Sequence, residues 1–298
     1  MKFFRTAAVL VSLSAACLQA AVDPALLGLI MPEAKAISGV QLEQSRTSPL
    51  GQFLLGQLGP LAFEDLKKMT GFDPRTDLSE IVSASTGPTQ MLLAGRGVFQ
   101  PARIVALAQT GGAVLTTYRG MTLISVGPAQ NASVVFLDAN TVIAGTVQAV
   151  QGAIDRWFSP GPYAGPLAAR VAEVSASSHG WSVATGLSDL IPVIPNAPPQ
   201  LDMIRNLVST ITQLSGGVVF GDAGVQVTGK LETRSAQDAQ SMADVLRLFA
   251  TMAPQPGLAN AATFTNVGSV VNIQVSLTEQ QVEQLLKPPA PATTIASR

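Results

Sequence analysis

Apolar residues recur along this chain in two periods, and the periods alternate. Short runs with period-two patterning, bounded by Gly, Pro, Asn or Asp, predict strands over 34–42, 81–85, 90–97, 113–119, 121–126, 133–138 and 141–144. Spacings of three and four predict helices between them. Ser48 and Pro49 open one, as N-cap and first helical residue, with Leu50, Phe53, Leu54 and Leu58 on its apolar side. A second runs over 61–70 and a third over 101–110, stopped by Gly111-Gly112. Thr146 is placed to cap a fourth, carrying Val147, Val150, Ile154 and Trp157.

The break at 159–166, Ser-Pro-Gly-Pro to Gly-Pro, reads as a boundary. Beyond it the spacing predicts a helix over 167–174, a strand over 180–185 and a helical segment from Ser188. Prolines interrupt that segment over 191–199, either as a mobile flap or as a rigid connection. A longer helix is expected over 201–214, ended by Gly216-Gly217, and then a hairpin of strands 218–221 and 225–233. Ser235 and Asp238 start a helix through Met252, with Met242, Val245, Leu246 and Phe249 at helical spacing. Strands at 263–265 and 270–277 precede a last helix capped by Thr278 and Gln281.

The same order thus occurs twice: strand, helices, hairpin, helix, further strands, helix. Met91 to Arg103 and Val225 to Asp238 share a local pattern, with Gly followed by a basic residue late in a strand and a helix a few residues on. The expected organisation is an α+β fold of two tandem, similar modules, over 21–160 and 161–287. Each has an antiparallel sheet with helices packed mainly on one face, in split βαβ style. A Pro/Ala/Thr tail over 288–298 is expected to be disordered.

The leader changes the picture next. Lys2 and Arg5 precede an apolar run over 7–16 that is too short to span a bilayer, and small residues follow, as in a secretory signal ending near Ala20. Cys17 follows Leu13-Ser14-Ala15-Ala16, but Leu13 lies four residues ahead where a lipobox has three, so a lipid anchor at Cys17 is the disfavoured outcome. Removal of the leader takes the net charge from −1 to about −3 and removes the one cysteine. The mature chain is therefore expected to hold together without disulfides, outside the cytoplasm, in the periplasm or beyond. No later segment reads as a transmembrane helix, since the uncharged stretch 120–137 contains Pro128, Gln130 and Asn131.

Composition then removes classes of function. Charged residues make up 12% of the chain and hydrophobic ones 47%, so disorder is excluded. With 18 basic residues against 19 acidic and no basic run, nothing here would neutralise nucleic-acid phosphates.

One motif stands out. Gly71-Phe72-Asp73-Pro74-Arg75-Thr76-Asp77-Leu78 precedes a strand and follows a Ser-Pro-started helix and the strand Ala34-Lys35-Ala36-Ile37-Ser38-Gly39-Val40. Over Ile30 to Trp157 this arrangement resembles a group of uncharacterised exported bacterial proteins of the acidobacterial type. The resemblance implies fold and location and brings no activity with it. Read physically, Asp73 accepts backbone N–H bonds, Pro74 fixes the turn and Asp77 caps the way out. Two carboxylates four apart also suit calcium, but Arg75 and Thr76 supply neither the further oxygens nor the glycine of such a loop.

Other chemistries are poorly served. A lone His179 among serines fits no Gly-x-Ser-x-Gly elbow, and Gly95-Arg96-Gly97 is too short for a phosphate-binding loop. No cofactor or metal site is expected. Glu64, Asp65, Asp138, Glu173 and Asp222 leave a carboxylate-based hydrolase open. The favoured reading is a non-catalytic binding or scaffold protein of the cell envelope, docking an envelope protein or itself through an exposed apolar patch. A carrier of a hydrophobic or lipid-like ligand is the alternative, and it requires an enclosed apolar cavity.

Overall fold

A computed structural model describes residues 21–48, 51–52, 67–68, 70–126, 131–190, 206–221, 224–252 and 258–286. The expected leader, most of the two helices expected on either side of Gly59-Pro60, the proline-rich 191–199 and the tail lie outside the described residues. The described residues form twelve strands, several of them consecutive hairpins, with helices between the groups. The strands are β1 (Ala36–Gln41), β2 (Leu78–Gly87), β3 (Gln90–Gly97), β4 (Leu115–Tyr118), β5 (Met121–Val126), β6 (Ala132–Phe136), β7 (Thr141–Thr146), β8 (Gly180–Thr185), β9 (Ile211–Gly221), β10 (Gly224–Thr233), β11 (Ala262–Val267) and β12 (Val270–Leu277). The longer helices and the first short one are α1 (Pro24–Gly28), α2 (Pro101–Thr110), α3 (Val147–Phe158), α4 (Ala168–Ser175), α5 (Ala236–Met252) and α6 (Glu279–Leu286).

The fold is mixed α+β with antiparallel strand pairing throughout, but the strands form one continuous sheet. Its order is β11-β12-β10-β9-β8-β1-β2-β3-β7-β6-β5-β4. The halves meet where β1 pairs with β8, Ile37 opposite Val183 and Gly39 opposite Trp181. Outward from that seam the two halves repeat an order, β1-β2-β3-β7-β6 against β8-β9-β10-β12-β11, with the β4–β5 hairpin extra in the first.

Directly opposed residues share a face of a sheet, which locates the helices. Ile37, Val183, Ser215, Lys230 and Asn272 form one such row. At its start, Ile37 and Val183 join Leu92, Val135 and Ile143 in the main core beneath Leu26 and Ile30, Val150 and Ile154 of α3, and Val171 of α4. At its end the same face is polar. The neighbouring residues Leu231 and Val271 point the other way, onto Ala239, Met242 and Ala243 of α5. In the first half α1 and α3 therefore lie on one face, and α4 lies on that same face over β8 and β9, whereas α5 covers the opposite face of the second half.

Several local signals act as the chain pattern implies. Strand β3 spans 90–97, and the β4–β5 turn uses positive φ at Arg119 and Gly120, the left-handed pair of a tight hairpin. Ser235 and Asp238, and Thr278 and Gln281, make reciprocal capping bonds at the starts of α5 and α6. Thr146 precedes α3 in an extended conformation without a side-chain cap bond.

One expectation is corrected. The helix over 201–214 does not run to its predicted end, because Ile211 already begins β9 and Leu214 pairs with Leu231. Gly216-Gly217 lies inside that strand and ends no helix. The reason is steric: a Cβ on Gly217 would stand 1.9 Å from Ser178 Oγ, so glycine lets the connection before β8 lie against β9.

Candidate functional site

The Gly-Phe-Asp-Pro turn is built around Asp73. This carboxylate, buried at the start of a single helical turn (Pro74–Asp77), accepts from Arg75 N–H at 3.0 Å, Arg75 Nε at 2.9 Å and Arg75 Nη2 at 2.9 Å. The Arg75 bonds, helped by Lys67 Nζ at 3.2 Å, hold its pKa well below the usual carboxylate range. Asp77 Oδ2 accepts from Asp73 N–H at 2.8 Å, closing the turn on itself. Pro74 occupies the first helical position, and Phe72 packs at a tilt against Phe99, which packs at a tilt against Phe136. Both carboxylates are thus occupied by the turn's own donors.

A second acidic cluster was not legible as such. Glu80 on β2 is only 7% exposed, and both its oxygens accept from the Asp23 backbone N–H, at 3.1 and 3.3 Å. Burial pushes its pKa up to about 7, with the neighbouring Asp23 charge adding to it. Asp23 Oδ1 caps α1 at Ala25 N–H, and its Oδ2 accepts from Arg96 Nε at 2.9 Å and Nη2 at 2.5 Å. Arg96 also donates to Thr141 Oγ1 at 2.6 Å. Two acids converge here, one with a raised pKa, yet their oxygens are taken by backbone and guanidinium donors. The cluster fastens the chain's first described segment to the sheet. Asp23-Pro24, a cap residue followed by proline, was the available sequence signal for α1.

A groove of about 300 Å3 lies where α4 ends over the polar sheet face, lined by Ser177, Ser178, Ser215, Thr228, Asn272 and Gln274 among others. A chain of charges runs beside it: Lys230 Nζ bonds Glu173 Oε1 at 2.8 Å, Arg170 Nη1 bonds Glu173 Oε2 at 2.6 Å, and Arg170 Nη2 also meets Glu232. The Lys230 bond leads in holding the Glu173 pKa down. The remaining predicted groups stay apart from it. Asp138 caps Asn140 N–H in the β6–β7 turn, while Glu64, Asp65 and Asp222 lie outside the described residues. His179 Nδ1 accepts the Phe220 N–H at 3.1 Å, and burial lowers its pKa. Among the described residues, no group of three or more His, Cys, Asp or Glu is arranged to hold a metal, and no helix is long and apolar enough to cross a membrane.

Among the described residues, a group of exposed apolar side chains lies at the end of α5. This helix of 17 residues buries Ala239, Met242 and Ala243, but leaves Leu248 56%, Phe249 57% and Met252 70% exposed in its last turns. Those three side chains form a ridge that the chain's own core does not cover.

These features define the class: an α+β chain whose described strands form one twelve-stranded antiparallel sheet with helices packed on both of its faces. No family model and no curated protein matches the sequence. Among solved structures the fold is similar to TP0453. Crystal form III gives a TM-score of 0.59 at 12% identity, covering 88% of this chain and 97% of that one. Forms I and IV give 0.51 and 0.53 at 12% and 11% identity, covering 90% and 92% of this chain and 97% and 100% of theirs. The likeness is one of fold.

Proposed function

We propose that this is an exported, non-catalytic binding or scaffold protein of the bacterial cell envelope, which docks an envelope protein through the ridge Leu248, Phe249 and Met252. The observation that carries the reading is that ridge, three large apolar side chains on one helix end, each more than half exposed. Two further features support it. The acids with the strongest local organisation, Asp73 and Glu80, have their oxygens engaged by Arg75 of the turn and by the N–H of Asp23 at the cap of α1. The groove beside α4 is open to solvent and its lining includes the charged Glu173 and Lys230, unlike the enclosed apolar cavity a lipid carrier needs.

Burying the exposed half of each ridge side chain is worth about 1 kcal/mol, so the three together contribute about 3 kcal/mol. Replacing all three with serine therefore weakens docking about a hundredfold. The test places a photo-crosslinking amino acid at position 249 in cells. A discrete protein adduct, lost when Leu248 and Met252 become serine, is the expected result. Absence of any adduct, with the serine variant distributed among cell fractions as the wild type is, removes the reading.

A further inference from the structure

Among the described residues the sheet ends at β11, and the hydrogen-bond alternation fixes which of its backbone groups have no described strand beside them. Thr233 N–H donates to the Ser269 carbonyl at 2.9 Å, so Val271, Ile273 and Val275 turn their backbone groups toward β10. Val270, Asn272 and Gln274 then face β11, where Val267, Thr265 and Thr263 answer them. That leaves the N–H and C=O groups of Ala262, Phe264 and Asn266 pointing away from the sheet. The strand carries no charge and no proline, and it pairs with β12 without a bulge. It lacks the features that usually blunt an edge. The opposite edge, β4, has only four residues and runs directly into Arg119.

One side chain stands over the open edge. Arg247 on α5 donates from Nη2 to the Phe264 carbonyl at 2.8 Å, and its Nη1 is anchored by Asp244 Oδ1 at 2.6 Å. Phe264 is the middle member of the three outward residues. We propose that the β11 edge is a sheet-extension site for a second copy of this chain, and that Arg247 guards it.

The occupant follows from the symmetry of the edge. An antiparallel pair of β11 strands about a twofold at Phe264 sets Phe264 opposite Phe264 and Ala262 opposite Asn266. No charged strand residues meet, and each outward N–H finds a carbonyl. The central pair needs the carbonyl that Arg247 occupies. The same twofold brings the α5 helices of both copies together on one face, so two guanidinium groups oppose each other. Arg247 thus blocks pairing by occupancy and by like charge. A strand of six residues spans about 20 Å. It buries less than the roughly 800 Å2 per partner of a stable dimer, so the unguarded pair is weak and concentration-dependent. The docking ridge centres on another side of α5, with Phe249 about 200° and Met252 about 140° around the helix from Arg247, and Leu248 about 100° from it.

Sedimentation of the full mature chain tests this. Wild type stays monomeric, whereas Arg247→Ala enters a monomer–dimer equilibrium with a Kd of about 10–100 μM. Adding Asn266→Pro removes an outward N–H that serves no internal ladder bond, and restores the monomer. An Arg247→Ala protein that remains monomeric at several times that concentration overturns the proposal. So does a dimer that persists with Asn266→Pro. Should Arg247→Ala not fold, Asp244→Asn, which cuts the guard's other anchor, is expected to associate measurably, and its failure to do so is equally decisive.

Discussion

Replacing Glu80 with glutamine should change the pH dependence of stability in a defined direction. Glu80 is buried on β2 and its pKa is pushed up to about 7 from an ordinary 4.5. Between those values the folded chain holds a proton that the unfolded chain has released. The stabilisation is therefore complete below about pH 4.5, declines as pH rises toward 7, and is gone above it. Each pKa unit is worth about 1.4 kcal/mol, so the group makes the protein less stable at pH 8 than at pH 5 by about 3 kcal/mol at most. Glutamine keeps an oxygen for the Asp23 N–H and removes the titration. Urea unfolding at pH 5, 6, 7 and 8, followed by far-UV circular dichroism, measures this. The difference between Glu80→Gln and wild type should grow in the variant's favour by about 2–3 kcal/mol across that range. His179 works in the opposite sense, because a lowered pKa costs stability as pH falls, but it is common to both proteins and cancels in the difference. A difference that stays constant from pH 5 to 8 refutes the reasoning.

Two further substitutions test the packing and the turn. Gly39→Ala puts a Cβ 2.4–2.7 Å from the ring atoms of Trp181, itself buried in the core, and should cost about 1–3 kcal/mol in urea unfolding. A melting temperature equal to wild type would show that the ring moves freely. Asp73→Ala removes the acceptor of the Arg75 bonds and should cost about 1–2 kcal/mol at pH 7. Because the folded pKa of Asp73 is lowered, its stabilisation is present above the ordinary carboxylate range and lost as pH falls below it. The gap between variant and wild type should therefore shrink toward pH 2, and a gap that widens there contradicts the assignment.

What the sequence determined is what a few neighbouring residues can specify. The extent of β3, the Arg119-Gly120 turn, and the two reciprocal caps at Ser235-Asp238 and Thr278-Gln281 depend on contacts within about four positions, and all were legible. The residues Asp73, Pro74 and Asp77 were equally visible as a local group, though not the aromatic cluster that anchors them through Phe72. Only the tertiary structure decided the rest. Strand β9 forms from Ile211 because Leu214 finds Leu231 and Gly217 admits Ser178, pairings no window of the chain contains. The joining of the halves at β1 and β8, the Asp23–Arg96 bond across 73 positions, and the placement of β11 at the sheet's end are likewise non-local. Local propensity fixes where an element can start and stop, whereas its partner and face are set by which distant surfaces bury together with least strain.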